Sequence, residues 1–109
     1  MAKWLLVVES HCTDPAREKE FRDWYDNVHF KDIFKTREFA KAMRAELHQA
    51  SAGAKDKVLA IYEIEADDVD SVMARHNENM KRAKEEGRMS PYIEATARGI
   101  YKVENTHSR

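Results

Sequence analysis

One stretch of the sequence combines aromatic side chains with an imidazole at helical spacing. Phe21, Trp24, Tyr25 and Val28 recur three and four residues apart, so a helix would carry them as one apolar stripe. At about 100° per residue, His29 falls at the edge of that stripe, one turn beyond Tyr25. An imidazole beside aromatic rings can take or give a proton near neutral pH. His29 is therefore our candidate catalytic residue; the alternative is a helix-end histidine favoured by the helix dipole.

The other aromatic and imidazole candidates would line a pocket for a substrate around His29. Trp24, Tyr25 and Phe30 would form its walls and exclude water. His76 lies in the apolar stripe of a second predicted helix, where it is either a pocket residue or a core histidine with a hydrogen-bond partner. Tyr62 can place a hydroxyl on a ligand, although buried tyrosines are also common in protein cores.

Arginines are the candidate partners for an anionic group of a ligand. Arg44 shares one face of a predicted strand with Glu46 and His48, and these side chains either line a cavity or form ion pairs at a subunit interface. The last strand offers the same alternative with Glu94, Thr96 and Arg98. Arg88 follows the second helix and is either an anion-binding residue of a flap or a solvated side chain.

Size and charge narrow the class of protein. A chain of 109 residues predicts a single domain over 1–109. Its 19 Lys and Arg are interleaved with 20 Asp and Glu, unlike the basic face of a nucleic-acid module or a polybasic membrane anchor. No stretch approaches the ~20 apolar residues of a membrane span. Cys12 alone cannot form an intrachain disulfide or a Cys-rich metal site. We expect a cytoplasmic protein with no nucleic-acid or membrane partner and no metal.

The periodicity of the chain predicts six elements in the order β-α-β-β-α-β. They are a strand through Trp4–Val8, a helix over about 15–27, a strand over 39–49, a strand over 57–65, a helix from Asp67 or Asp68 to Gly87, and a strand over 92–104. Asp14 followed by Pro15 is typical of a helix start, and glycine of a helix end. Residues 50–56 would form a hairpin connection.

This order predicts an α+β, ferredoxin-like fold, with a four-stranded antiparallel sheet and both helices on one face. The first and third strands carry apolar residues on both faces, so the face without helices should not meet water alone. We therefore expect a homodimer formed through that face. In the second strand, Phe39, Met43 and Ala45 are predicted to share a face. In the fourth strand, the alternate residues from Ile93 to Val103 are predicted to do the same.

The motif Phe21-x-x-Trp24-Tyr25-x-x-x-His29 and the turn that follows it resemble the EthD-like branch of the dimeric α+β barrel superfamily. The stretch 87–90 is also typical of that branch, and the resemblance covers essentially the whole chain. It implies that two ferredoxin-like subunits pair their sheets into a barrel, with a pocket between the sheet and the helices of each subunit. The superfamily includes cofactor-free monooxygenases, polyketide cyclases, muconolactone isomerases, haem-degrading enzymes, and accessory proteins of pigment and antibiotic clusters.

These observations predict a small enzyme without a cofactor. It would act on an apolar, aromatic molecule of secondary metabolism or aromatic degradation by proton transfer, as a cyclase, isomerase or monooxygenase. The first alternative is a non-catalytic binding or accessory protein that holds a hydrophobic intermediate of a pigment or antibiotic pathway. The second is a haem-binding protein, since the haem-degrading members use a helix histidine, and His29 or His76 would be that ligand.

Overall fold

A computed structural model describes residues 1–49 and 57–109 and shows a four-stranded antiparallel sheet with the helices on one face. The strands are β1 (Lys3–Cys12), β2 (Phe39–Glu46), β3 (Val58–Glu65) and β4 (Ile93–Lys102), in the spatial order β2-β3-β1-β4. The predicted ferredoxin-like fold is confirmed. The predicted hairpin connection at 50–56 lies outside the described residues. No helix in the described ranges is both long and apolar enough to cross a membrane.

The first helical segment is longer and less regular than the periodicity predicts. After a 3-10 turn at Pro15–Arg17 it continues as α1 (Glu18–Trp24), a π-helical turn (Tyr25–His29) and α2 (Phe30–Ile33). In the π turn, the backbone N–H of Phe30 donates to the carbonyl of Tyr25, five residues earlier. The helical path therefore runs beyond the end predicted near residue 27.

The last helix, α3 (Val69–Glu85), begins and ends as predicted. The Asp68 carboxylate accepts a hydrogen bond from the Ser71 N–H at 3.2 Å and caps the first turn. At the other end, Gly87 has φ 78°, the left-handed conformation that glycine adopts without a steric penalty. The Arg88 N–H then donates to the Ala83 carbonyl at 2.8 Å, which completes a Schellman motif.

Strand pairing divides the side chains of the sheet between two faces. The helix face packs against the helices, and its buried members on β1 and β3 are Leu6, Ser10, Val58, Ala60, Tyr62 and Ile64. The open face has no helix on it, and its half-buried apolar members on the same strands are Leu5, Val7, Leu59 and Ile61. The prediction of apolar residues on both faces of these strands is confirmed.

Two β-bulges change the face on which side chains of the edge strands β2 and β4 lie. In β2 the register shifts between Phe39 and Lys41, so Phe39 lies on the helix face while Met43 pairs with Ile61 on the open face. In β4 the register shifts between Ala97, which pairs with Glu9, and Ala95, which pairs with Ser10. The prediction that alternate residues keep one face is wrong for both strands, because one extra residue in a strand moves every later side chain to the other face.

Candidate functional site

Two imidazoles lie inside the layer between the helices and the sheet. His29 is 8% exposed and His76 is 4% exposed. The Nδ1 atom of each is buried and has no hydrogen-bond partner among the described residues. Most buried polar atoms in proteins are hydrogen-bonded, because burial without a partner costs free energy. Two such atoms in one layer mark this part of the molecule as the candidate site.

The π-helical turn brings His29 onto Trp24. Their ring centroids are 4.5 Å apart with an interplanar angle of 22°, and the edge of Tyr25 meets His29 at 5.3 Å. In a regular α-helix, residues five apart point about 140° away from each other. The wider π turn returns His29 to the side of Trp24, and such turns are frequent at functional sites. The regular helical spacing predicts His29 at the edge of the stripe. The π turn places it inside the stripe instead.

A chain of aromatic contacts links the surroundings of His29 to His76. Phe30 meets the edge of Tyr62 at 5.9 Å, and Tyr62 meets Phe39 at 6.0 Å. Phe39 in turn stacks on His76, with ring centroids 4.8 Å apart and an interplanar angle of 25°. The structure therefore brings His29, Phe30, Tyr62 and His76 into one aromatic cluster, although they come from four separate elements.

Burial keeps both imidazoles neutral at pH 7. The pKa of His29 is lowered to about 4, mainly by the loss of water on burial; a positive charge on His76 acts in the same direction, and Asp32 opposes the shift. Burial also lowers the pKa of His76 to about 4, helped by the charge of Arg98. This differs from the expected titration of His29 near neutrality. Without a ligand, His29 is therefore a neutral group, and its buried surroundings disfavour the protonated form.

A buried serine that the sequence did not single out completes the polar part of the layer. Ser10 is fully buried on the helix face, and its Oγ shares a hydrogen bond of 3.0 Å with the hydroxyl of Tyr25. Burial raises the pKa of Tyr25 and also that of Tyr62, so both phenols stay protonated. The sequence feature that could have identified Ser10 is its position in β1. Leu6, Val8 and Ser10 are alternate residues of this strand, so they point to the same face.

The two arginines among the predicted site residues are each held by two carboxylates. Arg44 lies on the helix face of β2, where its guanidinium donates to both carboxylate oxygens of Asp26, at 3.0 and 3.1 Å, and to Glu46 at 2.8 Å. This position excludes it from an interface on the open face.

Arg88 fixes the segment after α3 in the same way. Its Nε donates to Asp32 at 3.2 and 3.1 Å, and its Nη1 donates to Glu86 at 2.6 Å. Both arginines therefore hold neighbouring elements together, and binding an anion would require them to give up these partners.

Trp24 belongs both to the aromatic cluster and to a nearby cavity. Its indole N–H donates to the backbone carbonyl of Arg88 at 2.7 Å. A cavity of about 330 Å³ lies there, lined by Trp24, Val28, Tyr92 and the segment 87–91. This volume is within the range of small-molecule sites. One face of the cavity is thus the same indole that stacks on His29.

Haem ligation by His29 or His76 stays a prediction. Each ring stacks face to face on an aromatic ring, and each Nδ1 is buried. Iron binds an imidazole nitrogen in the plane of the ring, so a haem ligand in this layer would use the Nε2 atom. Within residues 1–49 and 57–109, no group of three or more His, Cys, Asp or Glu side chains is placed to hold a metal ion.

Comparison with known proteins identifies the fold. No model of a known protein family matches the chain, and no curated protein matches it. Among solved structures, HapK from Hahella chejuensis is similar with a TM-score of 0.72 over 97% of each chain, at 13% identity. A dimeric ferredoxin-like protein from an uncultured marine organism gives a TM-score of 0.69 over 98% of this chain and 100% of its own, at 14% identity.

An ethyl tert-butyl ether D (EthD) family protein from Bacillus halodurans C-125 is also similar, with a TM-score of 0.58 at 13% identity, over 97% of this chain and 100% of its own. The chain therefore has the fold of the dimeric ferredoxin-like proteins, which is the fold that the resemblance to the dimeric α+β barrel superfamily implies. Identities this low show the fold alone. The roles of the site residues remain predictions.

Proposed function

We propose that this chain is a small enzyme without a cofactor that binds an apolar, aromatic molecule beside His29 and moves a proton on it. The observation that carries the proposal is the pair of buried imidazoles, His29 and His76, whose Nδ1 atoms have no described partner inside an aromatic cluster. The aromatic rings supply stacking surfaces for a flat apolar ligand. The molecule would be an intermediate of secondary metabolism or of aromatic degradation.

The proposed step is the transfer of a proton to neutral His29. An activated C–H bond next to a carbonyl breaks, the proton bonds to the imidazole, and the electron pair stays on the substrate as an enolate. The proton then returns to another atom of the substrate, which isomerises it or completes a ring closure. Trp24 faces the imidazole at 4.5 Å and stabilises its cationic form, and the negative charge of Asp32 acts in the same direction.

The proposal includes a homodimer formed through the open face. Two of the exposed large apolar side chains lie there, Met43 at 47% and Tyr101 at 59% exposure. They extend the half-buried apolar surface of β1 and β3, which a second sheet would cover. The similar solved structures include dimeric ferredoxin-like proteins, which supports this arrangement.

One observation favours a second function, a binding protein without turnover. A base with a pKa of about 4 has little driving force for taking a proton at pH 7. A neutral imidazole in an aromatic cluster would still hold a hydrophobic intermediate by accepting a hydrogen bond. The two functions share the same site and differ only in whether His29 becomes protonated during a reaction.

The test is hydrogen exchange on 2-tetralone, a bicyclic aromatic ketone with acidic C–H bonds next to its carbonyl. In D₂O at pH 7, we expect the protein to accelerate the replacement of these hydrogens by deuterium, followed by ¹H NMR. General-base catalysis typically contributes about 10²- to 10⁴-fold, so His29→Gln should lose at least about 100-fold. His107→Gln in the exposed tail is the matched control and should retain the full rate.

Saturable binding of 2-tetralone with no acceleration of exchange would establish the binding protein and reject the enzyme. Equal rates in the wild type and in His29→Gln would remove His29 from the catalytic role.

A further inference from the structure

The cavity of about 330 Å³ beside Trp24 lies between the first helical segment and residues 87–92. Its apolar and aromatic lining side chains are Trp24, Val28, Met89, Pro91 and Tyr92, and its charged ones are Glu20 and Arg88. The cavity shares Trp24 with the aromatic cluster, but neither imidazole lines it. It is thus a second place in the molecule with the size and the apolar lining of a small-molecule site.

Hydrogen bonds fix the walls of this cavity before a ligand binds. The Trp24 indole N–H donates to the Arg88 carbonyl at 2.7 Å and ties the helical wall to the opposite wall. At the start of the opposite wall, the Arg88 N–H donates to the Ala83 carbonyl at 2.8 Å. At its end, the Tyr92 carbonyl accepts from the Thr13 N–H at 2.8 Å. A ligand that enters such a preformed site has little ordering of the protein to overcome.

Glu20 gives the cavity its unbalanced charge. The other charged lining residue, Arg88, is held by the two carboxylates described above, so its guanidinium adds no net positive charge. Among the described residues, no basic side chain lies within ion-pair distance of the exposed Glu20 carboxylate, whereas Glu18 on the same helix has Arg22 at 3.7 Å. A ligand in the cavity therefore meets apolar side chains and a negative charge.

We propose that this cavity binds a protonated amine that carries a small aromatic or branched apolar group. The ammonium donates to the Glu20 carboxylate, and the apolar group covers Val28 and Met89. An anionic ligand does not suit the site, because Glu20 would repel it and the guanidinium of Arg88 is already occupied. This goes beyond the proposed function, since the amine site is separate from the imidazoles and moves no proton.

The test compares benzylamine with its neutral isostere benzyl alcohol by NMR titration at pH 7 and low salt. Benzylamine is protonated at this pH, as a lysine side chain is. For the wild type we expect it to bind about fivefold more tightly than the alcohol, the upper end for an ion pair at an exposed carboxylate. Glu20→Gln should abolish this preference by weakening benzylamine binding while leaving benzyl alcohol binding unchanged. Glu18→Gln is the matched control, because this residue lies on the same helix and does not line the cavity.

A second readout locates the ligand. Benzylamine should shift the indole ¹H–¹⁵N signal of Trp24, whereas that of Trp4, which donates to the Ala66 carbonyl, should stay in place. Failure of both probes to bind, or a shift of the Trp4 signal alone, would reject the cavity as a ligand site. Equal binding of the two probes to the wild type, or a preference that persists in Glu20→Gln, would reject the amine and the role of Glu20. None of these outcomes would affect the proposed function, whose test is hydrogen exchange that depends on His29.

Discussion

At the scale of single residues, burial of His29 and His76 makes the stability of the fold depend on pH. In the unfolded chain each imidazole takes up a proton near pH 6.5, whereas in the folded protein the pKa of each is lowered to about 4. Between these values the unfolded state binds more protons. The stabilising contribution of neutral imidazoles is therefore fully present above pH 6.5 and is lost as the pH falls towards 4.

We expect the free energy of unfolding to decrease over this window by up to about 1.4 kcal/mol per pH unit for each imidazole. Urea unfolding measured at a series of pH values tests this. His76→Phe preserves a ring that can stack on Phe39 and should reduce the slope, whereas His48→Gln, at an exposed position, should leave it unchanged. If the free energy of unfolding changed with pH equally in the wild type and in His76→Phe, His76 would make no contribution to the pH dependence of stability.

At the scale of elements, Asp32 of α2 holds the segment that follows α3. It is 3% exposed, it accepts from Arg88, and it pairs with Lys35 at 2.9 Å. Burial alone would raise the pKa of Asp32, but the hydrogen bonds from Lys35 and Arg88 outweigh it and hold that pKa below its usual value. The same segment lines the cavity beside Trp24, so this carboxylate sets the position of one cavity wall.

Asp32→Asn should weaken this attachment. Charge-assisted hydrogen bonds contribute about 2 kcal/mol, and we expect a loss of stability of that order. Backbone amides of residues 87–92 should exchange faster with D₂O, which mass spectrometry can measure. Glu86→Gln changes the exposed partner of the same arginine and should have no measurable effect on stability. Unchanged exchange at 87–92 in Asp32→Asn would show that the backbone contacts hold the segment without this ion pair.

Three irregularities of the elements changed which side chains reach the site. The π turn brought His29 onto Trp24, and the bulge in β2 put Phe39 on the helix face, where it stacks on His76. The bulge in β4 put Arg98 on the same face. Each irregularity adds a single residue to an otherwise regular element, and each is invisible to a periodicity count along the chain.

At the scale of the whole molecule, the open face determines the assembly that we propose. Ile61 lies near its centre, because it pairs with Val7 on one side and with Met43 on the other. A charge at this position would have to be buried in a sheet-to-sheet interface, where a charge without a partner is costly.

We expect the wild type to sediment as a dimer and Ile61→Glu to sediment as a folded monomer in analytical ultracentrifugation. Ala74→Glu introduces the same charge at an exposed position of α3 and should remain dimeric. Circular dichroism spectra that match the wild type would show that both variants are folded. A wild-type protein that sediments as a single subunit, or an Ile61→Glu variant that remains dimeric, would contradict the proposed interface.

The sequence by itself determined the order of the elements, the Asp68 and Gly87 ends of α3, and the candidate status of His29 and His76. These depend on local capping, on backbone conformation and on apolar periodicity, all of which are determined by residues close together in the sequence. Only the tertiary structure decided that His29 stacks on Trp24, that Arg44 and Arg88 are neutralised by carboxylates, and that Phe39 stacks on His76. Those outcomes depend on strand register and on partners far apart in the chain, and an inserted residue becomes evident only when strands pair and helices pack.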